Sequence, residues 1–133
     1  MRPLTIFLSR LIGLFALVFS LAMILHRESF AAIASAMVHD PPLLFLVGLI
    51  TLVIGLAMVL AHNVWSGGAL PIVITILGWI QLIRGLVVLL MPPDALASFF
   101  DRMNFDKFSY GAFAITLVLG VYLTYMGFRQ SPV

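Results

Sequence analysis

Four stretches of about twenty apolar residues constrain this chain more than anything else in it: Leu4–Leu25, Leu43–Ala61, Pro71–Met91 and Phe108–Phe128. A hydrocarbon layer about 30 Å thick is crossed by roughly 20 helical residues. Inside lipid each backbone N–H must find its acceptor within its own helix, because the solvent offers none. Proline respects that demand. Pro41 and Pro42 precede the second stretch, Pro71 opens the third, and Pro92 and Pro93 follow it, all positions where a missing N–H is tolerated. The four stretches therefore predict an all-α membrane protein, a single four-helix transmembrane domain over residues 1–133.

Composition agrees. Apolar residues make up 63% of the 133, charged residues 9%, and mean hydropathy is +1.21. A soluble domain is about a quarter charged, so too few polar side chains exist here to clothe a water-facing surface. Seven Lys/Arg stand against five Asp/Glu, scattered singly. No basic stripe follows a phosphate backbone, which argues against a nucleic-acid partner. With no cysteine there is no disulfide, thiolate metal site or c-type haem attachment.

Downstream of the first stretch, Ala34-Ser35-Ala36 resembles a signal-peptide cleavage site. The long apolar run of that stretch and the charged His26-Arg27-Glu28 that follow predict a retained span instead. Arg2, Arg10 and Arg129 fall at one end of the spans and Arg27, Arg102 and Lys107 at the other, a tie under the positive-inside rule. The first span alone favours cytoplasmic termini. Each outer loop is expected to hold a short interfacial helix, the first capped by Ser29 and running to about Met37, the second capped by Asp94 and running to about Met103. The second would bury Leu96, Phe99, Phe100 and Met103.

Small or polar residues recur along every span at roughly seven-residue spacing: Ser9, Gly13, Ala16 and Ser20; Gly48, Thr51 and Gly55; Gly78, Gln81 and Gly85; Thr116, Gly120 and Gly127. Membrane helices associate through close backbone approach and interhelical hydrogen bonds, since apolar burial gains little against lipid. A seven-residue period implies left-handed supercoiling, so the stripes predict a left-handed four-helix bundle rather than a pore. Advancing the chain by 65 residues lays Ile50-Thr51-Leu52-Val53-x-Gly55 on Ile115-Thr116-Leu117-Val118-x-Gly120 and Gly13 on Gly78, ten identities in all. That reads as a parallel repeat, 1–65 and 66–130, each copy a tandem helical hairpin.

Arg84 lies thirteen residues after Pro71, about 20 Å along the helix, and a charge inside a span is by default a functional hypothesis. Its bland role is to snorkel outward and pair with Asp94 or Asp101. Gln81, one turn away, is expected to bond Thr51, Thr116 or Ser20. Gln81, Arg84, Thr51 and Thr116 form a candidate intramembrane polar site for an anionic, lipid-like or quinone-like molecule. His62, Asn63 and Trp65 close the second span as a candidate inner-interface site, with His62 otherwise capping its own helix. Arg10 reads as a snorkelling anchor. The spacing of His26, Glu28, His39 and Asp40 assembles no metal site, no pair of histidines lies within the spans to hold a haem, and no cofactor is predicted, though a lipid or quinone would fit the class.

The run Ala61-His62-Asn63-Val64-Trp65, then Leu77-Gly78-Trp79 and Leu82-Ile83-Arg84-Gly85, resembles a family of small bacterial inner-membrane proteins with four predicted spans. The resemblance implies location but no activity. It singles out His62, Asn63, Trp65, Trp79 and Arg84. The leading expectation is a structural or accessory subunit packing against other membrane-protein subunits or against itself. A small transporter or channel component comes second, and an enzyme third, because no nucleophile–base pair can be assembled.

Overall fold

The computed structural model describes residues 3–103 and 105–129. They form six helices: α1 (Pro3–Leu25), α2 (Arg27–Val38), α3 (Pro41–Ala61), α4 (Ala69–Leu90), α5 (Pro93–Arg102) and α6 (Phe105–Arg129). Four of them (α1, α3, α4 and α6) are long and apolar enough to cross a membrane. The chain is thus a multi-pass membrane protein whose sides meet lipid. The start of α1, the α3–α4 turn and the end of α6 share one end of the bundle, here the terminal end. Helices α2 and α5 lie at the other, the loop end.

Local chemistry explains the boundaries. Asp40 caps α3 by accepting from the Leu43 N–H, with prolines in the first turn. Gly67 and Gly68 both adopt positive φ, the left-handed conformation that turns the chain tightly between α3 and α4 at no Cβ cost. Helices α2 and α5 form in the loops, but their caps differ from expectation. Helix α2 begins two residues before Ser29, behind His26, and α5 begins behind Pro92, neither with a side-chain cap bond. Pro93 supplies the preset φ that opens α5, leaving Asp94 in its first turn, where an acid favours the dipole. Within the chain Phe99 is 65% exposed, whereas Leu96, Phe100 and Met103 are half-buried.

The helices pack as two intimate antiparallel pairs, α3 with α4 and α1 with α6, joined mainly where α1 meets α4. Glycine makes each pair close. A Cβ on Gly55 would lie 2.5 Å from Leu82 Cα and one on Gly85 would lie 2.6 Å from Leu52 Cα. In the other pair Gly13 lies against Thr124 and Gly120 against Leu17. These contacts correspond under the 65-residue shift. Gly55 on Leu82 becomes Gly120 on Leu17, and Gly78 on Met58 becomes Gly13 on Leu123 and Thr124. The element bounds follow suit: α1 advanced by 65 spans 68–90, and α4 is Ala69–Leu90. Each tight pair therefore joins one helix from either half of the chain.

Met58, Leu70, Ile74 and Leu123 form the buried apolar cluster, which lies toward the terminal end. Buried hydroxyls are mostly satisfied within their own helices: Ser9 donates to the Ile6 carbonyl and Ser20 to the Ala16 carbonyl. Thr124 Oγ1 is buried with no conventional partner among the described residues. It lies where a Gly13 side chain would project, so a Gly13 Cα–H points at it, a weak contact frequent between membrane helices.

Candidate functional site

At the terminal end three helices bring a polar cluster together. His62 ends α3 and is 1% exposed. Its Nε2 lies 2.7 Å from Thr5 Oγ1 on α1 and its Nδ1 3.2 Å from Thr75 Oγ1 on α4. Both threonines are buried. The His62 side chain thus bridges to neighbouring helices instead of capping its own, while its backbone N–H completes α3 by donating to the Met58 carbonyl.

The carbonyls around Thr75 favour one tautomer. Thr75 Oγ1 has one proton and three carbonyls in reach, at 2.8 Å (Val64), 2.9 Å (Pro71) and 3.4 Å (His62). Giving its proton to a carbonyl leaves Thr75 to accept from the Val64 N–H at 3.1 Å and from His62 Nδ1–H. Nε2 is then the acceptor, and Thr5 donates to it. One threonine hydroxyl therefore anchors the imidazole and the start of the α3–α4 turn, which otherwise has few backbone bonds.

Asn63 and Trp65 follow immediately. Asn63 Oδ1 accepts from Trp65 Nε1 at 2.7 Å and, at 3.5 Å, from Trp79 Nε1 one helix away. The residues singled out by the His-Asn-x-Trp run and by Trp79 are thus one continuous assembly. Nearby, Arg10 Nε donates to the Gly127 carbonyl at 2.8 Å, and its guanidinium covers the Phe128 ring at 4.8 Å. Arg10 braces α1 against the last turn of α6, where the helix dipole favours a cation, and so is more than an anchor to the interface. The 65-residue shift maps this brace onto Thr75 and His62, so both pairs are tied at the same level.

The intramembrane site assembles differently from expectation. Gln81 accepts from Arg84 Nη1 at 3.3 Å and does not reach Thr51, Thr116 or Ser20. Its backbone presses on Gly55 at the α3–α4 contact, while its side chain follows the helix surface to the residue three positions on. Arg84 reaches neither Asp94 nor Asp101. The chain leaves α4 through the extended Met91 and Pro92, and Asp101 is taken by His39, whose Nε2 lies 3.3 Å away. Arg84 is exposed on the side of α4, six residues or about 9 Å before its end.

No protein-family model, curated protein or solved structure matches this chain. Its chemistry must be read from its own geometry.

Thr5 and Thr75 were not legible as site residues. The available signal was that a histidine on an inward stripe needs partners, and hydroxyls at the same level of the first and third spans supply them.

The loop end carries the ion pair of His39 with Asp101, which links α2 to α5. The imidazole pKa is raised, first by the Ser35 carbonyl accepting from Nδ1 at 2.8 Å and then by the Asp101 carboxylate.

Proposed function

We propose that this protein is a structural or accessory subunit of a membrane complex or of a homo-oligomer. The observation that carries the reading is Arg84, an exposed cation well inside α4 whose hydrogen bond, among the described residues, goes to a neutral amide. A cation there costs about 2.5–3.5 kcal/mol on insertion scales, and an acidic or polar group on a neighbouring membrane helix would offset it. The lateral surface suits such a role. No more than a third of the best apolar window of any span is buried within the chain, so most of each helix remains free to meet lipid or protein. The buried cluster of His62, Thr5 and Thr75 then serves to fix the three helices that present this surface.

The reading places the chain in a bacterial inner membrane with both termini cytoplasmic, in keeping with the resemblance of its His-Asn-x-Trp and Arg-Gly runs and with Arg10 at the terminal end. It takes the correspondence of contacts under the 65-residue shift as the mark of an internal duplication. Native-membrane purification of wild type and Arg84→Ala tests it. A co-purifying membrane protein, or a second copy, that is lost from Arg84→Ala and regained in Arg84→Lys supports the role; an unchanged set of partners overturns it.

A transporter or channel component for an anionic, lipid-like or quinone-like molecule is the second reading. What favours it is that Arg84 and Gln81 present one joint polar surface to the acyl region. Loss of solute flux in Arg84→Ala, with the same partners retained, would select it.

A further inference from the structure

The turn from α1 into α2 holds two concavities that meet at Arg27 and Glu28. One, about 420 Å³, is walled by Met23 and Ile24 of α1, Phe30 and Ala31 of α2, and Tyr110 and Phe113 of α6. The other, about 460 Å³, runs along the polar side of the turn past His26 and Ser29. The first is within the size range of small-molecule sites, and both lie at the loop end, where a span gives way to the interfacial helix.

The opposite corner of the bundle shows why this one is open. Under the 65-residue shift Met23 and Ile24 fall on Val88 and Leu89, and Phe113 falls on Gly48. At that corner Val88 and Leu89 close onto Gly48, within 2.8–3.2 Å of where a Cβ would stand. Here a phenylalanine stands in place of the glycine and lines the opening between α1 and α6. The charges differ as well, since Arg27 and Glu28 fall on Pro92 and Pro93. One corner is packed tightly at its glycine, whereas its counterpart is open and carries a cation beside an anion.

Among the described residues neither Arg27 nor Glu28 belongs to an ion pair, and both are exposed. A guanidinium suits a phosphate, and the first turn of α2 adds its positive end. A carboxylate suits a primary ammonium, to which it offers strong charge-assisted hydrogen bonds. Side by side they match a zwitterion, whereas a purely anionic head would meet the Glu28 charge. The apolar wall suits an acyl chain rather than a free soluble head. We propose that this corner binds a phosphoethanolamine-type phospholipid, with its phosphate at Arg27, its ammonium at Glu28 and the upper part of one chain against Met23, Ile24 and Phe113.

Native mass spectrometry of the full chain, released from nanodiscs holding equal parts phosphatidylethanolamine, phosphatidylcholine and phosphatidylglycerol, tests this. Phosphatidylethanolamine should be retained about tenfold over phosphatidylcholine, whose quaternary ammonium donates no hydrogen bond to Glu28, the factor expected for one charge-assisted bond. Glu28→Gln should abolish that preference, and Arg27→Gln should weaken retention of all three lipids. Ala31→Phe, which keeps both charges and fills the cavity, should release the lipid while circular dichroism shows the helices intact. Excess soluble phosphoethanolamine should not compete, and competition would assign the site to a free head instead. Equal retention of the three lipids, or a preference that survives Glu28→Gln or Ala31→Phe, would overturn the proposal and leave annular lipid only.

Discussion

Replacing Gly55 by alanine should loosen the α3–α4 pair, and the structure sets the size of the effect. The new methyl would lie 2.5 Å from Leu82 Cα and 2.8 Å from the Gln81 carbonyl carbon, whereas ordinary contact begins at 3.4 Å. Both obstacles are backbone, so no side-chain rotation relieves them, and α3 and α4 must part by roughly 1 Å. A gap of that size forfeits a quarter to a half of each local dispersion contact, and overpacking of this kind costs about 1–3 kcal/mol. We expect about 2 kcal/mol, near thirtyfold in the folding equilibrium. Gly120, the counterpart of Gly55, faces Leu17 and Ala16 at 3.1–3.2 Å, so Gly120→Ala should cost less than half as much. Gly111 has nothing within 4 Å, and Gly111→Ala should stay within about 0.5 kcal/mol of wild type. Reversible unfolding in mixed micelles, followed by circular dichroism, ranks the three. Equal stabilities for Gly55→Ala and Gly111→Ala would refute the claim that backbone approach holds this pair.

Three further outcomes follow from the clusters at either end. Thr75→Val should destabilise by about 1–3 kcal/mol, because it strands the Val64 N–H and one His62 nitrogen in a buried site; Thr5→Val removes one partner of His62 and should cost less, both read in the same unfolding assay. Because the pKa of His39 is raised in the folded protein, the stabilisation from its charged form is fully present below the ordinary histidine value and disappears as pH climbs through the raised one. NMR titration of the imidazole should show Asp101→Asn lowering this pKa only in part, since the Ser35 carbonyl, the larger cause, remains; a pKa in Asp101→Asn as high as in wild type would remove Asp101 from the account. Arg10→Gln should increase hydrogen exchange in the last turn of α6, where the Gly127 carbonyl loses its brace, and unchanged exchange there would assign Arg10 to the membrane interface alone.

Much of this protein follows from local sequence. Twenty-residue apolar runs, prolines at their edges and a glycine pair in the shortest link between spans determine four spans and a helical bundle, because lipid gives the backbone no other way to satisfy its N–H groups. The seven-residue spacing of small residues likewise sets which stripe of each helix allows close approach. Neighbours are another matter. That α1 pairs with α6 across the whole chain and that His62 meets Thr5 from 57 residues away are long-range facts that no local pattern encodes, whereas the Gln81–Arg84 bond is an i, i+3 contact within one helix. The corner at Phe113 makes the same point: that it stands where Gly48 stands in the other half is read from the sequence, but the opening it lines with Met23 and Ile24 exists only once the helices are packed.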